Sequence, residues 1–422
     1  MFGDENKLTR ELPSNDNVVV LPEDVVAPIA GYGTMIAHST FLVSSQETEL
    51  LQDNNAVSFE NKTIFFPLDM ITGASFVPND DNWGIGPNGI NAQMFWNEGA
   101  RGEGIKIGIA DSGIDVTHPT FDSLRSNGQL IGFAEFDKQG KKRIQQKPDG
   151  TVIPDNQATP TFSHWHGTHC AAIIVGESTN DKARGVAPAA SLAVARVLEQ
   201  ANEGSVAGIL AGLWWLVDQR CDIVSLSLGW PGLHEEWAEP ILKLLSQGTV
   251  VVAAIGNEFG VPGSPPSRSP ANYPFIPASR SDGLLLRVGA HDVSGVLWSD
   301  SGGESVDWSR AIVSGTDGSQ RPSRFATTAI FNVPDLIAPG VDIVSAVPSN
   351  KYFSSPGTSM AAPHVAGVVA LSLSLMRQRQ PDSTPRDAAE KILANLIPTR
   401  GGDIRAGSGI INTLALVTAC KG

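Results

Sequence analysis

Short apolar runs alternate with segments of helical spacing through most of the chain beyond residue 104. The apolar runs are residues 105–110, 192–198, 222–228 and 249–255, and each is almost uninterrupted. Such runs are typical of strands that are buried on both faces of a sheet. Leu, Ile and Trp recur at helical spacing in the two segments that separate the last three runs, 205–219 and 234–247. This alternation predicts an α/β fold with a mostly parallel sheet sandwiched by helices.

The N-terminal part of the chain has a different pattern. Residues 1–16 are polar and rich in Asn, Asp and Glu, which is typical of a mobile leader. The β-branched run at 17–22 predicts a strand, and the run at 56–66 predicts a hairpin that turns at 60–62. We therefore expect a small N-terminal α+β domain at 17–72.

The following segment, 73–103, is rich in Gly, Pro, Asn and Asp. This composition predicts a linker that leads into a main domain at 104–422. A chain of 422 residues exceeds the usual size of one domain, which fits one large α/β domain that carries a smaller one.

Charge and cysteine content narrow the class of protein. The 44 acidic residues outnumber the 30 basic ones, and the net charge of -14 disfavours nucleic acid and anionic membranes as partners. Three cysteines allow one disulfide at most, which fits a reducing compartment. The first residues are acidic and lack the apolar stretch of a signal peptide, and the apolar runs are too short to span a bilayer of ~30 Å. We expect a soluble, cytoplasmic protein without a membrane partner.

Two candidate catalytic residues lie next to predicted elements. Ligands of parallel sheets bind beyond the carboxyl ends of the strands, and Asp111 directly follows the first strand in IADSGID. Taken alone, this Asp could also cap a turn or bind Mg²⁺. His166 lies in SHWHGTHCA, just before an apolar helical run. A zinc site with His169 is the competing interpretation, but no further Cys or carboxylate has ligand spacing.

A third candidate, Ser359, lies where a loop becomes the long apolar helix of GTSMAAPHVAGVVALSLSLM. A serine in this position has the positive end of the helix dipole and unpaired backbone N–H groups beside it, which can hold a developing oxyanion. The alternative is an ordinary helix N-cap.

Together, the acid, imidazole and hydroxyl occur in the order Asp, His, Ser. The blocks DSGID, HGTHCA and GTSMAAPHVAG resemble the three signature blocks of the subtilisin family of serine proteases, and AAIGNE resembles the oxyanion segment of that family. The resemblance covers about residues 80–395. Cys170 in the His block is similar to a cysteine of some proteinase K-like members. The resemblance implies a serine endopeptidase with a subtilisin-like fold.

This resemblance implies a role for each matched residue. Ser359 would be the nucleophile, His166 the general base and then acid, and Asp111 the group that orients the imidazole. Asn257 would donate its side-chain amide to the oxyanion, together with the Ser359 N–H. Cys170, one helical turn beneath His166, would make activity sensitive to mercurials without taking part in the chemistry.

The substrate would be a polypeptide, bound as an added strand. The residues expected to bind it are Ser227, Leu228, Gly229, Trp230, Ala254, Ile255 and Gly256. Ile255 stands where the family usually has alanine, and Trp230 where it usually has a second glycine, so the primary pocket is expected to be narrowed or reshaped. Glu258 beside the pocket could favour basic groups, or could simply be solvated.

Three segments depart from the family pattern. No cofactor is expected for the chemistry, and structural calcium is possible, but the usual strong site is doubtful because 177–188 is shorter than the corresponding calcium loop. Other metal ligands are not assigned. Residues 137–160 are interpreted as a solvated insertion or an exosite, and 301–330 as a second insertion.

The segment 17–72 weakly resembles the inhibitory propeptide of the family, which predicts a self-processing zymogen that is cleaved within 67–82. A permanent accessory domain is the alternative for this segment. For the whole chain, a pseudoprotease that acts as a binding module is a second hypothesis, although all four chemical positions are intact. A nucleotide-binding α/β protein is disfavoured, because no G-x-G-x-x-G or Walker loop follows a strand.

Overall fold

The computed structural model describes most of the chain from Asn82 to Gly422, and short strands before it. The residues described before Asn82 are 17–20, 34–37, 40–43, 57–60, 63–65 and 75–77, for which only the backbone is considered. Beyond Asn82 the described chain omits residues 178–184, 200–202, 276, 315–319, 327–328 and 400. The predicted leader at 1–16 lies outside the described residues.

A central eight-stranded sheet organises the protein, as the alternating sequence pattern predicts. In spatial order its strands are Leu336–Pro339, Leu285–His291, Val250–Ala254, Ile223–Leu226, Lys106–Asp111, Ser191–Arg196, Leu130–Phe136 and Lys142–Arg143. Neighbouring strands are parallel throughout, except that the last strand pairs antiparallel at one edge. The four strands predicted from apolar runs therefore lie in the middle of the sheet, where both faces are covered.

Helices cover the sheet. The described α-helices are Gln93–Trp96, Asp122–Ser126, Trp165–Val175, Val206–Gln219, Ala238–Ser246, Thr358–Arg377, Pro385–Ala394 and Thr413–Lys421. Local signals set several of their ends: the Ser205 side chain accepts a hydrogen bond from the Gly208 N–H, and Val206–Gln219 ends at Arg220, which has a left-handed backbone. Both predicted helices of the central region are present, the second beginning at Ala238 rather than 234.

The helix Thr358–Arg377 runs through the interior of the molecule. All of its residues from Thr358 to Met376 are buried. By length and composition this helix could cross a membrane, but in the protein it is covered on every side by the sheet and by neighbouring helices. A helix in the core of a protein is apolar on every face. Burial therefore explains the composition of this helix.

Short strands complete the described chain. They are Asn17–Val20, Thr34–Ala37, Thr40–Val43, Val57–Glu60, Thr63–Phe65, Ser75–Val77, Glu203–Ser205, Trp230–Pro231, Arg268–Ser269, Glu304–Val306, Ile312–Ser314, Gln320–Pro322, Phe331–Val333, Ile343–Val347, Lys351–Ser355, Leu396–Ile397 and Ile410–Ile411. Single 3₁₀ turns occur at Pro119–Phe121, Asp155–Gln157, Trp308–Arg310 and Ile404–Ala406.

The hairpin predicted at 56–66 is wrong. Val57–Glu60 pairs antiparallel with Asn17–Val20, whereas Thr63–Phe65 pairs with Glu203–Ser205, which directly precedes the helix Val206–Gln219. Both strands exist, but each pairs with a strand from another part of the chain. Periodicity predicts that a segment is a strand and carries no information about its partner.

Residues 82–103, which are part of the predicted linker at 73–103, contribute to the core. Ile85, Ile90 and Phe95 are almost fully buried in the same apolar cluster as Ile107 of the central sheet. Upstream of them, Ser75–Val77 pairs antiparallel with Lys351–Ser355, the strand that precedes the Thr358–Arg377 helix.

The two predicted insertions lie in different parts of the protein. The first adds the edge strand Lys142–Arg143, and its Asp155 accepts a hydrogen bond from the Trp215 indole at 2.7 Å. The second, in its described residues, packs Trp308 at 0% exposure against the aromatic rings of Tyr273 and Phe325.

Candidate active site

Asp111 and His166 meet at the carboxyl edge of the sheet. Asp111 is the last residue of the strand Lys106–Asp111, and His166 lies in the first turn of the helix Trp165–Val175. His166 Nδ1 lies 2.9 Å from Asp111 Oδ1 and 3.0 Å from Oδ2. The Ser112 N–H also donates to Asp111 Oδ1 at 2.6 Å, which fixes the carboxylate. This contact makes Nδ1 the protonated nitrogen and leaves Nε2 as the proton acceptor.

Two glycines allow the strand end and the helix to approach this closely. A Cβ on Gly167 would lie 2.2 Å from the Gly113 carbonyl oxygen and 3.0 Å from Asp111 Oδ1. Gly113 itself has φ of 82°, and a Cβ there would lie 2.0 Å from the Thr161 carbonyl oxygen. The glycines of DSGID and HGTHCA are therefore required by this contact and by the turn.

The surroundings of His166 favour a charged imidazole. Burial by itself lowers its pKa, but the adjacent Asp111 carboxylate outweighs that effect and the pKa of His166 is raised well above its ordinary value. Cys170 Sγ lies 3.8 Å from His166 Nδ1 and 3.9 Å from Nε2. Burial raises the pKa of the Cys170 thiol, so that group stays neutral at pH 7 and Asp111 remains the main partner of the imidazolium.

Ser359 lies in the first turn of the long core helix, as the sequence predicts. Its hydroxyl donates to the Ser227 carbonyl at 3.2 Å, and the Ser227 hydroxyl donates to the Ser359 carbonyl at 2.8 Å. The Cys170 thiol also donates to the Ser359 carbonyl at 3.4 Å. The Cys170 side chain therefore contacts both the Ser359 backbone and the His166 ring, which places these residues side by side.

The Asn257 side chain is held in one orientation by Thr358. Asn257 Oδ1 accepts from the Thr358 N–H at 3.0 Å and from the Thr358 hydroxyl at 2.8 Å. Because the amide oxygen is used in this way, the network assigns the NH₂ group to the other end of the amide. The Gly256 N–H donates to the same hydroxyl at 3.2 Å. Thr358 was not singled out in the sequence, although it directly precedes Ser359 in the matched GTSM block.

The two segments expected to bind substrate flank the start of this helix. Ser227 contacts Ser359 from one segment, and Gly256 and Asn257 contact Thr358 from the other. The side chain of Trp230 stacks on the His234 ring, with 3.8 Å between the ring centroids and 5° between the planes.

The predicted influence of Ile255 on the pocket is not supported by its position. Ile255 is 0% exposed and Leu228 is 1% exposed, and both side chains belong to the apolar cluster behind the sheet strands. Ala254 is buried too, at 4% exposure, in the cluster on the other side of the sheet. These residues can contribute backbone groups to substrate binding, but Ile255 does not narrow a pocket with its side chain.

The expectation of a solvated Glu258 is wrong. Glu258 is 3% exposed and forms an ion pair with Arg268, which is 4% exposed. Arg268 Nε donates to both carboxylate oxygens of Glu258, at 3.0 Å and 2.9 Å. The sequence offers no signal for this pair, since Arg268 lies in a Pro- and Ser-rich segment ten positions further along the chain.

The remaining histidines of the motifs have structural contacts. His364 is hydrogen-bonded to the Met360 carbonyl and to Asn82, and burial lowers its pKa to about 4. His169 is hydrogen-bonded to the Phe353 carbonyl at 3.0 Å, and burial lowers its pKa to about 3. His164 caps the helix that carries His166.

One group of described residues has the geometry of a possible metal site. It consists of Asp111, His166 and Cys170, whose ligand atoms lie within 4.8 Å of one another. His169, the second histidine of the zinc interpretation, is not part of this group. The calcium segment at 177–188 lies largely outside the described residues.

A buried carboxylate, an imidazole and a helix-start serine at the carboxyl edge of a parallel sheet define the class of serine hydrolases. Comparison with family models narrows this class, because residues 102–408 match the model described as Subtilase family. The chain belongs to the subtilase family and is a serine endopeptidase.

Curated relatives agree with this membership. The chain is 29% identical over 331 residues to the intracellular serine protease of Paenibacillus polymyxa, covering 78% of this chain and 84% of the relative. It is 31% identical to the major intracellular serine protease of Bacillus subtilis, covering 73% of this chain and 79% of the relative. It is also 31% identical to thermitase of Thermoactinomyces vulgaris, covering 70% and 85%.

Proposed function

We propose that Asp111, His166 and Ser359 are the catalytic triad through which this endopeptidase hydrolyses peptide bonds. The observation that carries the proposal is the buried Asp111–His166 hydrogen bond at 2.9 Å beside a serine at a helix start. Serine hydroxyls are weak nucleophiles at neutral pH, so the reaction needs the neighbouring base, and the base needs a fixed anion.

The reaction follows from these roles. Ser359 Oγ bonds to the carbonyl carbon of the substrate while its proton moves to His166 Nε2. The imidazolium then gives that proton to the leaving amine nitrogen, the C–N bond breaks, and an acyl-enzyme remains. Water then attacks the ester carbon while its proton moves to His166, and His166 gives that proton to Ser359 Oγ as the ester C–O bond breaks and the acid leaves. In the free protein the hydroxyl donates to Ser227, so binding of substrate must turn it toward His166, as catalytic hydrogen bonds often tighten only in the complex.

Asn257 is proposed to stabilise the oxyanion together with the Ser359 N–H. The two hydrogen bonds from Thr358 hold its amide oxygen and leave its NH₂ group available as a donor. A donor fixed before the reaction costs no reorganisation when the negative charge develops. Loss of such a donor slows catalysis by about 10²- to 10³-fold, a magnitude established in this same family.

The substrate is proposed to be an extended polypeptide that adds a strand along Ser227–Leu228–Gly229, with backbone groups of 254–256 and the Trp230 ring as the other contacts. Members of the family need no cofactor for the chemistry. The enzyme is proposed to act in the cytoplasm, because two relatives carry the word intracellular in their names.

The N-terminal segment is proposed to be an inhibitory propeptide that the enzyme removes itself. The pairing of Ser75–Val77 with the strand before Ser359 supports cleavage ahead of residue 75, within the first part of 67–82, because these three residues then remain in the catalytic domain. A permanent accessory domain remains the alternative for 17–72.

Casein hydrolysis tests the assignment of Ser359. We expect the wild type to degrade casein and Ser359→Ala to be inactive. Ser246→Ala, the same change at an exposed helical serine, is the matched control and should keep full activity. A folded wild type that leaves casein intact would favour the pseudoprotease hypothesis.

A further inference from the structure

Two glycines belong to the segments that are proposed to bind the substrate beside Ser359. Gly229 and Gly256 belong to the two segments that flank the start of the catalytic helix. With the substrate bound as proposed and its carbonyl carbon at Ser359, the side chain on the amino side of the cleaved bond lies between these segments. Whatever side chain of the protein lies there determines how much room remains.

The methylene groups of the Arg268 side chain, its stem, lie against both glycines. A Cβ on Gly229 would lie 2.9 Å from Arg268 Cβ and 3.3 Å from its Cδ. A Cβ on Gly256 would lie 2.8 Å from Arg268 Cγ and 3.1 Å from its Cδ. Both glycines therefore face the stem of Arg268, and a Cβ on Gly256 would also lie 2.6 Å from Glu258 Oε2.

Several contacts hold Arg268 in this place. Its backbone N–H donates to the Ile255 carbonyl at 3.0 Å, and its strand Arg268–Ser269 pairs with Trp230–Pro231. Its guanidinium is bound by Glu258, and the side chains of the pair are 5% and 3% exposed. Separating a buried ion pair leaves two uncompensated charges, so a substrate side chain cannot easily push Arg268 aside.

The pair also contacts the oxyanion segment. Glu258 Oε2 accepts a hydrogen bond from the Asn257 N–H at 3.0 Å. The residue that neutralises Arg268 therefore also holds the backbone of the residue proposed to stabilise the oxyanion. Displacement of Arg268 would disturb both the pocket and Asn257.

We propose that Arg268, held by Glu258, closes the primary specificity pocket, so that the enzyme cleaves after small residues such as Gly, Ala and Ser. This inference rests on the proposed function. Because the charge of Arg268 is balanced by Glu258, the closed pocket has no preference for acidic or basic side chains. Selection is by size, and large side chains meet the Arg268 methylene groups.

Kinetics on a series of tetrapeptide p-nitroanilides that differ only in the last residue test the proposal. We expect kcat/KM of the wild type to be on the order of 10-fold or more higher for Ala than for Leu or Phe, a range reached when side chains differ by a few methylenes. The double variant Arg268→Gly/Glu258→Gln removes the stem and both charges together. It should reverse the preference toward Leu and Phe.

A charge variant gives an independent readout. Glu258→Gln alone leaves the Arg268 guanidinium without its carboxylate, and we expect kcat/KM for Glu relative to Gln at the last position to rise. Arg280→Gly/Glu390→Gln, which removes an exposed Arg–Glu pair, is the matched control and should keep the wild-type selectivity.

The outcomes distinguish a failure of the proposed function from a failure of the proposed role of Arg268. A wild type that cleaves none of the peptides and is not labelled by a fluorophosphonate would overturn the proposed function itself. A labelled wild type that cleaves after Phe as fast as after Ala would overturn only the role of Arg268, as would a double variant with unchanged selectivity. If the double variant does not fold, the wild-type cleavage sites in denatured casein, mapped by mass spectrometry, decide alone. Cuts mostly after small residues support the proposal, and cuts mostly after large apolar residues contradict it.

Discussion

At the scale of single residues, the proposed chemistry depends on the charge of His166. Only the neutral imidazole can accept the Ser359 proton, yet the fixed Asp111 carboxylate stabilises the protonated form and raises the pKa of His166 well above 6.5. The same contact therefore strengthens the base and moves its working range to higher pH. The enzyme should be most active on the alkaline side of neutrality.

The pH dependence of kcat/KM tests whether Asp111 raises the pKa of His166. We expect the wild-type rate to rise with pH through a midpoint above the ordinary histidine value of 6.5. In Asp111→Asn the midpoint should fall, because burial then acts on His166 without the opposing carboxylate. The maximal rate should also drop by about 10⁴-fold, as in a serine protease of another fold. An unchanged midpoint in the variant would show that Asp111 does not set the pKa of His166.

Cys170 gives a second prediction at this scale. The Cys170 Sγ lies 3.8 and 3.9 Å from the two ring nitrogens of His166, so a mercury atom bound to Sγ would push against the imidazole. We expect a mercurial to inactivate the wild type over minutes, since the thiol is 3% exposed. Cys170→Ala should keep most of the activity and resist inactivation. Cys221→Ala is the control, since it replaces another buried cysteine, which lies between the helix Val206–Gln219 and the strand Ile223–Leu226, and it should stay as sensitive as the wild type.

At the scale of elements, the proposed site forms where the end of one strand meets the starts of two helices. These elements are Lys106–Asp111, Trp165–Val175 and Thr358–Arg377. The sequence predicts these elements well, because near-continuous apolar runs and helix-start motifs are local properties of the chain. It also predicts which edge of the sheet carries the chemistry, since parallel strands end on one side. The ion pair between Glu258 and Arg268 could not be predicted, because it depends on how the segment after the strand Val250–Ala254 approaches the short strand Arg268–Ser269.

Gly167 tests the packing between the strand end and the helix. Alanine normally stabilises a helix interior relative to glycine by about 1 kcal/mol. Here the added Cβ would lie 2.2 Å from the Gly113 carbonyl, so the helix must move away from Asp111. We expect Gly167→Ala to lose most activity and to lower Tm.

Gly86→Ala is the matched control for this change. Its added Cβ would meet only the Trp83 carbonyl at 3.4 Å, an ordinary contact. It should leave kcat/KM nearly unchanged. Full activity in Gly167→Ala would mean that the close approach is not needed for catalysis.

At the scale of the whole molecule, a strand that comes before the predicted main domain in the sequence pairs with a strand of that domain. Ser75–Val77 pairs with the strand that leads to Ser359, and the core includes Phe95 from the segment assigned to the linker. The composition of 73–103 predicts a linker because Gly, Pro and Asn are frequent in it. In the structure these residues form tight turns, and Ile85 and Ile90 between them are buried. Composition alone cannot distinguish such packed turns from an open connection.

Mass spectrometry of the intact protein tests the proposed processing. We expect purified wild type to have lost its N-terminal segment, with a new terminus within 67–75, and Ser359→Ala to retain the full chain. An intact N-terminus in an active wild type would instead favour the permanent accessory domain. A cut that occurs equally in Ser359→Ala would show that another protease makes it.

The most direct test of the central assignment is covalent labelling of Ser359. The native wild type should react with a fluorophosphonate, and peptide mapping should find the adduct on Ser359 alone. Heat-denatured wild type and folded Ser359→Ala should remain unlabelled, because the reaction requires both the hydroxyl and its assembled surroundings. A folded wild type that stays unlabelled, or an adduct on another residue that persists in Ser359→Ala, would contradict the account.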